Sequence, residues 1–391
     1  TNFKIMKAPV TNPSRSNWEE FILHKDAVRI DYIHVFKNYL IIYEREKGMK
    51  NIRIKTDSFE KYISFPEPVY TFTPTRNRVY DTNILRFHYT SLTTPDSVYD
   101  YNLDTDTFDL LKEYEVIGGY DKNNYQAERI FAKANDGTLI PISLVYKKGI
   151  AMDGTNPLYL YGYGSYEVSI DPNFSSNRLS LIDRGFIFAI AHIRGGGDMG
   201  RQWYEDGKFL QKKNTFTDFI NCSEHLINEK YTSSDKLVIM GGSAGGLLMG
   251  AVTNIRPDLF KAVISHVPFV DVVNTMMDPT LPLTVIEYDE WGNPNEKNNF
   301  DYIKSYSPYD NVEEKDYPSM LITAGLNDPR VGYWEPAKLV AKLRKMKTDE
   351  NILLLKTNMG AGHGGASGRY DHLKEIALEY GFILDLFGFS N

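Results

Sequence analysis

The stretch IMGGSAGGLLMG at 239–250 sets one hydroxyl, Ser243, between two pairs of glycines, after one apolar run and before another. The pattern G-x-S-x-G, here Gly241, Gly242, Ser243, Ala244 and Gly245, suits a tight turn from a strand into a helix that exposes a serine as a nucleophile. Glycine is expected there because a Cβ would collide with the neighbouring strand and helix. The backbone N–H of Ala244, at the positive end of the helix, can face a developing oxyanion. In a loop the same residues would be a flexible glycine turn. Here KLVIM precedes them and AGGLLMGAVTN follows, which puts them at a strand-to-helix junction.

A serine hydroxyl attacks poorly until a base takes its proton, so a histidine and an orienting carboxylate must accompany it. With the nucleophile on such a turn, the chain order is Ser, then acid, then His. Of the eight histidines, only His363 and His372 lie beyond the strand PSMLITAG that should supply the acid. His363, in the glycine-rich MGAGHGGASGR after the apolar NILLLKT, is the candidate base; His372, in the helical RYDHLKEIALEY, is expected on the surface. Asp328, in LNDPRVGYWEPA at the carboxyl edge of PSMLITAG, is the candidate orienter, with an N-cap or turn role as its alternative. A second oxyanion donor has to come from the loop after an earlier strand. YLYGYGSYE offers Tyr163, which is equally open to a packing role. TVIEYDEWGNPN gathers Glu287, Asp289 and Glu290, and SIDPNF adds Asp171. This cluster fits either a solvated charged face or a carboxylate pocket for a lysine or arginine side chain, with Tyr288 and Trp291 along its aliphatic stem.

The elements that must position these groups divide the chain in two. From about 15 to 113, short aromatic and β-branched strands repeat as strand, turn, strand: YLIIYERE with NIRIKT, then SVYDYNL with FDLLKE. Such units suggest a β-propeller or a stacked β array. A propeller needs about four blades or more, so this half is expected to be the C-terminal part of a larger one. After the hairpin QAERIFAKA–NDGT–LIPISLVYKK, apolar strands alternate with helix-length segments such as FTDFINCSEHLINEKY and EPAKLVAKLRKM. That alternation predicts an α/β domain with a largely parallel sheet, whose working residues gather at the carboxyl ends of its strands. The expected division is 1–114 and 115–391.

Composition sets the outer bounds. With 391 residues, 42% hydrophobic and 24% charged, the chain is an ordinary globular one with length for two cores. The single Cys222 excludes an internal disulfide framework and a clustered cysteine metal site, and suits a reducing, cytoplasmic setting. No apolar run approaches the roughly 20 residues of a membrane helix, and no basic and apolar leader follows Thr1. A first residue other than methionine suggests a processed or partial chain. The net charge of −7 argues against a nucleic-acid surface.

The segments YGYGSYE, AHIRGGGDMGRQWYEDGK, KKNTFTDFI, GGSAGGLLMG, RPDLFKAVISHVPFVDVV, EYDEWGNPN, SYSPYDNV, YWEPAKLVAKLR and GHGGASGR together resemble the oligopeptidase B branch of the prolyl oligopeptidase family. The likeness runs from about residue 15 to the end and is most specific from 156 onwards. It implies an α/β-hydrolase domain capped by a β-propeller that admits short peptides and excludes folded proteins. It also implies cleavage after Arg or Lys with no metal or cofactor; a monomer and a homodimer both stay open. Carried over, Ser243 is nucleophile, His363 general base and acid, Asp328 the orienter, and the Ala244 N–H with the Tyr163 hydroxyl the oxyanion hole. Glu287 and Asp289 match positions that read a basic side chain, and Asp171 matches one of a pair serving the preceding subsite. Asn173 stands where the second acid is common, which weighs against a preference for paired basic residues. Arg330 looks more like the prolyl enzymes, where it holds a substrate carbonyl, and Glu167 stands where glycine is usual. The alternatives are a post-proline or acylaminoacyl peptidase and, from another class, a non-catalytic peptide-binding relative.

Overall fold

The computed structural model describes residues 2–368 and 370–389, so Thr1, Arg369 at the end of GHGGASGR, Ser390 and Asn391 lie outside the described residues. The first half forms two four-stranded antiparallel sheets, β-propeller blades, each a meander. One contains Val28–Val35, Leu40–Glu46, Met49–Lys55 and Glu60–Tyr62; the other contains Tyr70–Pro74, Ile84–Ser91, Ser97–Asn102 and Thr107–Glu113. In the first, the turn is made by Lys47 and Gly48, both at positive φ (50° and 76°), the conformation whose twist suits a two-residue hairpin. Ile41, Tyr43, Ile52 and Ile54 of one sheet share a core with Phe72, Leu85, Phe87 and Tyr89 of the other.

The second half is an α/β-hydrolase. Its eight strands are β1 (Tyr125–Lys133), β2 (Leu139–Lys147), β3 (Leu158–Tyr161), β4 (Ile187–Ala191), β5 (Leu237–Gly242), β6 (Ala262–His266), β7 (Ser319–Gly325) and β8 (Leu353–Asn358). They lie in the order β1-β2-β4-β3-β5-β6-β7-β8, antiparallel at β1 and β2 and parallel beyond. The inner strands β2 to β7 are covered on both faces, which is why they read as continuous apolar runs, while the edge strands β1 and β8 are part exposed. Alternate residues serve opposite faces: Leu158, Leu160, Leu237 and Ile239 face one core, Tyr159, Val238, Ile264 and Leu321 the other. The first core also takes Phe216 and Phe219 of helix α1 (Lys213–Asn228), Leu247 and Leu248 of α2 (Ala244–Ile255), and Leu339 and Leu343 of α3 (Trp334–Met346). The second takes Phe382 and Ile383 of α4 (Asp371–Leu386).

The helix expected over 216–231 starts three residues earlier, at Lys213, and ends at Asn228, where Lys230 at φ 62° turns the chain. Strand β4 stops at Ala191; beyond it, His192 Nδ1 donates to Asp198 (2.9 Å), its Nε2 accepts from the Ser143 hydroxyl (2.8 Å), and Arg194 pairs with Asp218 (2.6 Å), so residues 192–198 form a buried polar loop.

The two halves are joined by ion pairs. Asp171 meets Arg45 (3.0 Å) and Lys50 (2.6 Å), and Glu167 meets Arg29 (3.0 Å) and Arg201 (2.7 Å). Glu167 sits at φ 58°, which explains why glycine suits that position; here a carboxylate bridging two arginines offsets the strain.

Candidate active site

Three parallel strands end on the same edge of the sheet, and each delivers one polar side chain. After β5 the chain enters α2 through Ser243, which adopts φ 58°, ψ −118°, a sparsely populated conformation held by its surroundings. Its N–H donates to His266 O (2.8 Å), tying the turn to β6. A Cβ on Gly241 would lie 2.3 Å from Gly245 O, so strand and helix approach too closely there for any side chain. After β7 comes Asp328, and after β8 the loop bearing His363.

His363 Nε2 lies 3.0 Å from Ser243 Oγ and Nδ1 lies 2.7 Å from Asp328 Oδ2. A carboxylate only accepts, so the proton resides on Nδ1 and the Nε2 lone pair faces the serine hydroxyl. The other Asp328 oxygen accepts the N–H groups of Arg330 (2.8 Å) and Val331 (3.0 Å), and the carboxylate is almost wholly buried, at 1% exposure. Its geometry is therefore locked from both sides. The arrangement can move the serine proton to imidazole while stabilising the imidazolium.

Ala244 is the first residue of α2, where N–H groups have no intrahelical acceptor. Tyr163 borders the same cavity as Ser243, and burial, helped by Tyr161, Glu290 and Glu287, pushes its phenol up to about 12. It is thus a protonated donor at neutral pH.

That cavity, about 510 Å³, runs from Ser243 and Tyr163 past Tyr166 to Glu287, with Phe269, Met276, Leu281 and Trp334 as apolar walls. Glu287 Oε2 accepts from the Tyr166 hydroxyl (2.8 Å) and Trp291 Nε1 (2.7 Å). Among the described residues no donor reaches its Oε1 and no cation pairs with it. Arg330 also borders the cavity, exposed and without an ion-pair partner among the described residues.

Two expected members lie elsewhere. Asp289 is exposed and borders a separate cavity with Glu205 and Lys208. A two-residue step on a helical turn rotates a side chain by about 200°, so Asp289 cannot share the face of Glu287. Asp171 does not border the cavity, because Arg45 and Lys50 already hold it; burial opposes its ionisation, but these cations outweigh that and lower its pKa. His372 is exposed in α4, away from the site, as expected.

Several groups at the site escaped the sequence reading. Tyr166 orients Glu287, and its position within YGYGSYE was the available signal. Glu335, 1% exposed, borders the cavity and accepts from Val270 N–H (2.8 Å), Asp271 N–H (2.9 Å) and Thr275 Oγ1 (2.6 Å). Lys212 is buried beneath the loop of Tyr163, and so is Glu290, which the sequence reading counts in the acidic cluster without expecting its burial. No local pattern marks these as buried, since charged residues are usually outside.

Residues 172–390 match the model of the prolyl oligopeptidase family, and residues 1–114 match that of the prolyl oligopeptidase N-terminal β-propeller domain. The chain belongs to the prolyl oligopeptidase family. Among relatives, it is 48% identical over 393 residues to dipeptidyl aminopeptidase BI of Pseudoxanthomonas mexicana, covering all of this chain and 54% of that protein. It is likewise 48% identical over 388 residues to protease 2 of Moraxella lacunata, covering 99% and 56%. Oligopeptidase B from Leishmania major superposes with a TM-score of 0.91 at 45% identity, over 98% of this chain and 55% of that one. The chain thus spans about half the length of the curated relatives it matches. Among the described residues no helix is long and apolar enough to cross a membrane.

Proposed function

We propose that this chain carries the active site of a serine peptidase that hydrolyses short peptides on the carboxyl side of Arg or Lys, with residues 1–114 as propeller and 115–391 as peptidase domain. One observation carries the specificity: in the cavity beside Ser243, Glu287 offers a carboxylate oxygen with no donor or cation among the described residues. A guanidinium or ammonium satisfies it, while Phe269 and Trp334 pack its stem. The kinship with protease 2 and with oligopeptidase B supports the same class.

In this reading Ser243 Oγ attacks the scissile carbonyl as His363 Nε2 takes its proton. The oxyanion accepts from Ala244 N–H and the Tyr163 hydroxyl. His363 then protonates the leaving amine, and the acyl-enzyme is hydrolysed by water through the same steps in reverse order. Asp328 keeps the proton on Nδ1 throughout, and Arg330 holds a substrate carbonyl at the cavity mouth.

The test is kcat/KM on matched peptide reporters with Arg or Pro before the cut, normalised by sites labelled with a fluorophosphonate. Ser243→Ala is expected to abolish both hydrolysis and labelling while the fold persists. A preference for Pro would retain the triad and move the chain to the post-proline branch; hydrolysis surviving in Ser243→Ala would end the peptidase reading.

A further inference from the structure

Within the reading just proposed, the loop 163–166 has two duties: Tyr163 supplies an oxyanion donor and Tyr166 holds Glu287. Two buried charges grip this loop. Lys212, 1% exposed, donates from Nζ to Gly164 O (2.6 Å) and Ser165 Oγ (2.7 Å). Glu290, 4% exposed, accepts the Tyr166 N–H on Oε1 (3.0 Å) and the Tyr204 hydroxyl on Oε2 (2.6 Å). Trp291 connects the grip to the pocket. Lys212 Nζ lies 5.0 Å from its ring centre, its Nε1 donates to Glu287, and Tyr166 packs edge-on against it at 5.6 Å.

A buried ammonium is costly, and an apolar chain of similar length would fill the same space without that penalty. Burial pulls Lys212 down to about 8, with the charge of Glu290 working against the pull. What the ammonium does that a methionine cannot is fix a carbonyl and a hydroxyl on consecutive residues, Gly164 and Ser165, lying between the two functional tyrosines.

We infer that Lys212 is a positioning residue that couples the specificity pocket to the oxyanion hole by locking the 163–166 loop. The inference rests on the peptidase reading and on the roles of Tyr163 and Glu287 in it. Its consequence is that one substitution, remote from the scissile bond, weakens both turnover and the choice of side chain.

The experiment compares the 391-residue chain with Lys212→Met, Tyr163→Phe and the double variant, on matched Arg and Leu reporters, with melting curves and fluorophosphonate site counts. In Lys212→Met, kcat is expected to fall about tenfold or more on both reporters, with KM for the Leu reporter within about twofold. The Arg-over-Leu ratio of kcat/KM should drop about fivefold. Added to Tyr163→Phe, Lys212→Met should lower kcat by less than about twofold more, because the two act through one hydroxyl. Full additivity, or an unchanged ratio, overturns the coupling. If Lys212→Met does not fold, Ser165→Ala removes one acceptor and keeps the ammonium; it should show the same pattern at lower amplitude, and parental values there overturn the coupling. A parent chain without Ser243-dependent hydrolysis overturns the peptidase reading and this inference with it. A parent that hydrolyses, with variants indistinguishable from it, overturns the inference alone.

Discussion

Glu287 is half committed: its Oε2 is taken by Tyr166 and Trp291, and its Oε1 remains for a ligand. A charge held this way favours a cationic side chain over an apolar one through a desolvated pair, so its neutral isostere separates specificity from chemistry. Glu287→Gln should lose about 100-fold in kcat/KM on Arg reporters and only a few-fold on Leu reporters. Equal losses on the two would show that Glu287 supports the fold of the site and does not read the substrate. The triad contrasts with it. Ser243, Asp328 and His363 owe their geometry to strand ends and backbone donors, and none depends on what fills the pocket.

The start of α3 is joined to the far wall of the cavity by Glu335, whose carboxylate binds two N–H groups ahead of the short helix Val272–Met277 and the hydroxyl of Thr275. Thr275 O in turn accepts from Thr284, three residues before Glu287. The element is therefore braced by one buried acid. Burial raises that acid from its ordinary 4.5 to about 7, against the donors from Thr275, Asp271 and Val270. The folded chain holds this proton more tightly than the unfolded chain. Its contribution to stability is full below the unfolded pKa and is lost as pH rises through the folded one. The melting temperature of the parent, taken relative to Glu335→Gln, should accordingly fall between about pH 4.5 and 7. A difference that stays constant across that window would refute the assignment.

Across the whole molecule, blade and hydrolase meet through apolar residues, Val69 and Leu92 packing into the core of Tyr125 and Leu181, and through charges. Asp171 holds Arg45, which is 6% exposed at its side chain, and Lys50. Asp171→Asn would leave Arg45 buried with no close hydrogen-bonded carboxylate, only the charges of Asp198 and of Asp31 (3.8 Å) acting on it among the described residues. Breaking a largely buried pair in this way should cost about 2 kcal/mol, read as a lower urea midpoint. The Arg-over-Leu ratio should not change, because Asp171 lies outside the cavity. A collapse of the ratio comparable to that in Glu287→Gln would return Asp171 to the substrate.

Residue order alone carried whatever is written in neighbouring positions. The glycines about Ser243 report a turn so tight that a Cβ on Gly241 would lie 2.3 Å from Gly245 O, the apolar runs KLVIM and PSMLITAG report strands buried on both faces, and NILLLKT reports the part-exposed edge strand. Since parallel strands end together, the order Ser243, Asp328, His363 was enough to expect one site. The acidic cluster EYDE was visible too, but whether each carboxylate turns inward depends on the helical rotation from Glu287 to Asp289, which composition does not express. Asp171 was read toward substrate on its match to a family position, and its cations, Arg45 and Lys50, could not be seen beside it because they lie more than a hundred positions away along the chain. Lys212 and Glu335 were silent for the same reason, as was the burial of Glu290. A buried charge is defined by its partners, and those partners were brought together only when the two halves and the eight-stranded sheet had packed.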